Sequence, residues 1–196
     1  MIIASLVISI GTALTGFFIK NKAVVFISYG FIIPLALLLP RFFYYFDSKV
    51  KKTVNFNWVR KLDFFAFFIV ALNAPGSLIL HDLNFQYDRF LHFSVGFLSL
   101  IIFFFLWLPV TKIKGGCIPK KQFLIFIFFV LFIGLFFWET LQYITDYLFG
   151  TKLFFDLGQN ISIDSSEDIF FGFLGLVAAV LYLIHNFDKI TLPVWK

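Results

Sequence analysis

Apolar residues in this chain come in long runs, separated by short polar or basic connections, and the runs set the first expectation. Crossing a bilayer as a helix takes about 20 predominantly apolar residues. Six segments approach that length: Ile2 to Ile19, Ala23 to Pro40, Phe64 to Leu80, Phe90 to Val110, Phe123 to Phe149 and Ile169 to Phe187. The expected fold is all-α, a polytopic integral membrane protein built as a six-transmembrane-helix bundle. The third run is interrupted by Asn73-Ala74-Pro75-Gly76. Pro75 withholds a backbone donor and Gly76 loosens the helix, so this helix is expected to be broken or kinked. A re-entrant third segment would move everything after it to the other side of the membrane.

Composition agrees with the pattern. The mean hydropathy is +0.95 and 14% of residues are charged, against about a quarter in soluble domains. The 196 residues suit a single membrane domain, 1–196. Residues 1–63 supply the first two helices and a basic loop, and 64–187 a four-helix part. The 33 phenylalanines fit either an aromatic-lined ligand channel or lipid-facing positions, which ask only for apolarity. The net charge of +5 does not point to nucleic acid, because the cations sit in short connections where topology accounts for them.

Those cations orient the chain. Of the sixteen Lys and Arg residues, twelve fall in the even-numbered connections and the C-terminus, and four (Lys20, Lys22, Arg89, Lys152) on the opposite side. The positive-inside rule then puts both termini in the cytoplasm. Cys117 is the only cysteine, so no disulfide or thiolate metal cluster is built within the chain. Met1 is followed directly by apolar residues with no basic n-region, so the first helix is expected to be retained. The loop from Arg41 to Asp63 mixes basic and aromatic residues. It reads either as an interfacial helix on anionic headgroups or as an ordinary cytoplasmic connection.

Acidic residues follow a different bias. Eight of eleven lie toward the outer side: Asp82, Asp88, Glu139, Asp146, Asp156, Asp164, Glu167 and Asp168. Carboxylates contribute little to topology, so orientation does not explain this clustering. Spacing by four places Asp88, His92 and Gly96 on one helix face. A second face carries Glu139, Gln142, Tyr143 and Asp146, and a third Asp168, Gly172 and Gly175. Small residues below the polar ones let helices approach closely. Asp164 and Ser165, with Glu167 and Asp168 three positions later, match a capping box. Asp88 suits a helix N-terminus, where the dipole favours anions. Glu139 has no such excuse. It lies near the C-terminal part of its helix, where the dipole disfavours negative charge, about one turn below the boundary. It is expected to be protonated, paired with His92 or Arg89, or bound to a cation.

One imidazole among several carboxylates suits Mg, Mn or Ca, or zinc or iron if His81 adds a second nitrogen. The candidate metal set is Asp88, His92, Glu139, Asp164 and Asp168. Without metal, Glu139 beside His92 is a candidate general acid or base, and Asp88, His92, Glu139 and Asp168 form the candidate catalytic set. Arg89 and Lys152 are candidate contacts for a lipid phosphate. No P-loop, dinucleotide fingerprint, HExxH or nucleophile elbow is present.

The segments YDRFLHFSVGF, WETLQYITD and IDSSEDIFFGFLGLVAA resemble bacterial inner-membrane proteins of the YjdF type and, more distantly, VanZ-like membrane proteins. The resemblance covers Tyr87 to Ala179. It rests on Tyr87, Asp88, Arg89, His92, Phe93, Gly96, Glu139, Asp164, Asp168 and Gly175, and departs at Gln142, where the pattern carries a second acid. It implies a bacterial plasma membrane and, through the VanZ-like proteins, envelope or lipid surfaces. Three functions stay open: a metal-dependent or acid/base enzyme acting on a lipid or envelope component, an ion-coupled transporter, or a non-catalytic membrane partner.

Overall fold

The computed structural model of the chain describes residues 1–18, 28–78, 85–113, 120–149 and 161–194. They form seven α-helices: α1 (Ile2–Phe18), α2 (Ile33–Phe46), α3 (Ser48–Thr53), α4 (Phe56–Leu78), α5 (Phe85–Ile113), α6 (Lys120–Phe149) and α7 (Ile161–Thr191). A π-helical turn, Ser28–Ile32, leads into α2, and a 3-10 turn, Leu192–Val194, follows α7.

Four stretches among the described residues are long and apolar enough to cross a membrane: Tyr29–Phe46, Tyr87–Ile113, Lys121–Ile144 and Ser162–Thr191. The molecule is thus a helical membrane protein, with four such stretches where six were expected. The other two expected runs, Ile2 to Ile19 and Phe64 to Leu80, each end outside the described residues. Of the first, α1 shows 17 residues, Ile2–Phe18. Helix α4 starts at Phe56 rather than Phe64, which draws Arg60, Lys61 and Asp63 into the helix.

The break expected within the third segment is not found. Helix α4 runs through Asn73, Ala74, Pro75 and Gly76 to Leu78. Side chains supply partners to carbonyls around the proline: Asn73 Nδ2 donates to the Ile69 carbonyl at 2.9 Å, and the Tyr87 hydroxyl donates to the Leu72 carbonyl. Such side-chain donors let a proline sit in an apolar helix.

The lipid-facing character of the chain shows most plainly in α1. Its buried stripe is Ser5, Ser9, Thr12, Ala13 and Gly16, whereas Ile3, Val7, Ile10, Leu14, Phe17 and Phe18 are exposed. Small residues inside and large apolar ones outside is the arrangement that membrane helices favour. Helix α6 likewise exposes Ile125, Phe129, Ile133, Phe136 and Phe137. Many of the phenylalanines therefore serve as outward surface, whereas Phe104, Phe105 and Phe123 are buried.

Helix α5 is the centre of the bundle, with Leu100, Ile101, Phe104 and Phe105 fully buried. Its broadest interface is with α7, and it also meets α4 and α6. Glycine makes the α5–α7 approach feasible. A Cβ on Gly96 would fall on the backbone of Gly172, and one on Gly175 would fall on the Phe93 carbonyl.

The other end of the bundle is tied by polar contacts. Trp58 Nε1 donates to the Phe105 carbonyl at 2.6 Å, and Lys61 Nζ to the Ile190 carbonyl at 2.9 Å. Arg41 grips Asp63 through two bonds of 2.6 Å. That pair holds α2 against α4 beyond Pro40, where the sequence pattern ended the second helix. The stretch between Arg41 and Asp63 is mostly helical rather than a loop. Asp47 caps α3 by accepting from Lys49 N at 2.8 Å and Val50 N at 3.3 Å.

Candidate functional site

Three helices deliver acids to one buried cluster around His92. Asp88 and His92 lie one turn apart on α5, Glu139 comes from α6, and Asp164 and Asp168 lie one turn apart on α7. All four acids are buried, Asp88 and Glu139 to 2% exposure. His92 Nε2 stands 3.6 Å from Asp88 Oδ1 and 3.4 Å from Asp168 Oδ1. Its other nitrogen, Nδ1, faces Glu139 Oε1 at 3.8 Å. The structure thus brings together all four candidate catalytic residues, with Asp164 beside them.

Not every expected ligand stands in the same relation to the others. Asp88, His92 and Asp168 can each offer one ligand atom such that these atoms lie within 4.8 Å of one another. That is the spread allowed by ligands about 2.0–2.6 Å from a shared ion. Glu139 is set apart from this trio, against the far nitrogen of the imidazole. Asp164 is buried nearby, and its charge acts on both Glu139 and Asp168.

The capping-box reading of Asp164 is corrected here. Helix α7 begins at Ile161, eight residues before the expected Ile169, so Asp164 stands inside the first turn rather than at the cap. There it shares a helix face with Asp168. Glu167 also has another task. It receives Arg89 through bonds of 2.7, 2.8 and 3.1 Å, and Arg89 lies over the Phe171 ring at 5.8 Å. Each of these two residues is one position from a cluster aspartate, and a turn of about 100° per residue carries it off the buried face. That offset is the signal by which the sequence pairs Arg89 with Glu167 rather than with Glu139.

Glu139 Oε1 and Gln142 Oε1 are buried and make no hydrogen bond among the described residues. The 3.8 Å from Glu139 to His92 is beyond hydrogen-bond reach. His81, Asp82, Cys117, Lys152, Asp156 and the side chain of Asp146 lie outside the described residues.

Electrostatics decides what such a cluster can hold. Four carboxyls around one imidazole, away from water, cannot all carry negative charge without a compensating proton or cation. Two aspartates of separate helices meeting at one imidazole nitrogen, with a third acid behind the ring, can take a divalent ion or shuttle a proton. The fold and cluster define a helical membrane protein with a buried Asp/His/Asp group at one end. The chain belongs to the family described as predicted membrane protein (DUF2238), whose model matches residues 2–189. No curated protein and no solved structure matches it.

Proposed function

We propose that this protein is a membrane-embedded enzyme that uses a divalent metal ion to act on a lipid or envelope component at the outer face of a bacterial plasma membrane. The observation that supports it most is the meeting of Asp88 and Asp168, from different helices, at His92 Nε2. In this reading Asp88, His92 and Asp168 hold the ion. Glu139, 3.8 Å from Nδ1 on the far side of the ring, and Asp164 add negative charge that favours a cation. A bound ion of this kind polarises a phosphoryl or carbonyl oxygen, or lowers the pKa of a water. Resemblance to the YjdF-type and VanZ-like proteins is in keeping with this membrane and substrate class.

The same reading places both termini in the cytoplasm and takes α1 and α4 as two further crossings. At 23 residues α4 is about 35 Å long. Along α7, Asp168 and the Ile190 contact with Lys61 are separated by about 33 Å, close to the thickness of the hydrocarbon core. The acidic cluster and the Lys/Arg-rich end then lie at opposite faces.

Elemental analysis of the detergent-purified protein, with Asp168→Asn and Glu139→Gln as controls, tests this reading. We expect near-stoichiometric divalent metal in the unaltered protein and its loss in Asp168→Asn, with the helical content of both retained. Absence of metal, and of metal uptake on titration, would leave the cluster as a packing or proton-transfer network and end the enzyme reading in its metal form.

A further inference from the structure

A second site lies away from the acidic cluster. An apolar cavity of about 510 Å³ sits between α2, α4 and α5, walled by residues such as Ile33, Leu37, Ala66, Val70, Ile102 and Leu106. This volume is within the roughly 300–1,000 Å³ of ligand cavities. Its shape follows from which residues line it. On α2 the lining runs from Ile33 to Phe43 and on α4 from Leu62 to Asn73, which makes a slot about 15 Å long at 1.5 Å per residue. That is half of a hydrocarbon core of about 30 Å, one leaflet deep. Spread over that length, the volume leaves a cross-section of roughly 30 Å², one methylene chain wide when carbons touch at about 4 Å.

The two ends of the slot differ. Toward Leu62, Asp63 and Phe43 it reaches the polar end of the bundle, where Asp63 is already neutralised by Arg41. Beyond that end, the short helix α3 that follows α2 exposes Lys49 and Lys52. At the other end it is lined by Tyr29, Asn73 and Val95, the last on the α5 turn that follows His92. A hydrocarbon tail inside and an anionic headgroup on the cationic rim satisfy both ends at once. We infer that this slot is a binding site for one acyl chain of an anionic phospholipid from the leaflet on the Lys/Arg-rich side, with its headgroup against Lys49 and Lys52. Each such cation contributes about a five-fold preference for an anionic surface. The site stands at a different face from the acidic cluster and does not depend on the metal reading.

Native mass spectrometry of the full chain in mild detergent tests this directly, after exposure to mixed vesicles of phosphatidylglycerol and phosphatidylcholine. The intact protein is expected to retain one phospholipid, enriched at least ten-fold in phosphatidylglycerol. Ala66→Phe fills the slot and should remove the retained lipid while helical content stays as in the parent. Leu37→Phe, on the opposite wall, does the same if Ala66→Phe fails to fold. Lys49→Gln with Lys52→Gln should keep one lipid but reduce the phosphatidylglycerol preference by about ten-fold or more. Equal retention of both lipids by the parent, meaning adventitious lipid only, overturns the inference. So does unchanged retention in both slot-filling variants, or a second copy of the chain covering this face in cross-linking.

Discussion

Glu139 Oε1 lies 3.8 Å from His92 Nδ1, while Nε2 of the same ring faces Asp88 and Asp168. One imidazole therefore separates two kinds of acid: a pair that shares a nitrogen, and a single carboxyl behind the ring. This division makes the acids unequal, and variants can read the inequality.

Glu139→Gln removes a nearby negative charge but none of the three grouped ligand atoms, so it should weaken divalent-ion affinity without abolishing it. Asp88→Asn and Asp168→Asn should remove measurable binding. Isothermal titration with Mn²⁺ on the three purified variants checks the order, and equal losses in all three would contradict it.

Ion binding should also stabilise the fold. At a free ion concentration 100 times Kd the gain is about 2.7 kcal/mol, seen as a rise in Tm of the parent protein that chelator reverses. Asp168→Asn should show no such rise.

The glycines of the α5–α7 crossing should tolerate nothing larger. Gly175→Ala sets a Cβ against the Phe93 carbonyl, and forcing the helices apart costs about 1–3 kcal/mol. Gly134→Ala on α6 meets nothing and should be neutral or stabilising by up to about 1 kcal/mol through helix propensity. Thermal unfolding in one detergent compares the two.

Two arginine–carboxylate pairs differ in burial and should differ in cost. Asp63 is 8% exposed beside Arg41, whereas Glu167 is 33% exposed beside Arg89. Arg41→Gln strands a buried carboxylate and should destabilise by about 3–5 kcal/mol. Arg89→Gln should cost about 1 kcal/mol or less, since water screens that pair. Denaturation of the two single variants, each paired with its acid-to-amide partner in a double-mutant cycle, gives both figures.

Much of the cluster was legible in the sequence because helical spacing is a strong constraint. Asp88 with His92, and Asp168 with Gly172, had to share faces, and glycine at Gly96 and Gly175 signalled where two helices close up. Hydropathy likewise identified the four apolar stretches. It did not fix where helices start. Nothing in an apolarity count places α4 at Phe56 rather than Phe64, because Arg60, Lys61 and Asp63 are settled by long-range partners: the Ile190 carbonyl for Lys61 and Arg41 for Asp63. The same limit applies to α7. Asp164 to Asp168 reads as cap chemistry until Asp168 turns out to meet Asp88 at His92. Pro75 reads as a break because local propensity is blind to tertiary contacts that hold a helix together through a proline.

The glycine crossing of α5 and α7 also has a bearing on synthesis. Chains emerge N-terminus first, so His92 is made well before Asp168, with the whole of α6 between them. Until the last helix arrives, Asp88 and Glu139 lack the aspartate that completes their group. The acidic end is therefore assembled last, and a chain truncated before α7 would present Asp88, His92 and Glu139 without the two aspartates that complete the group.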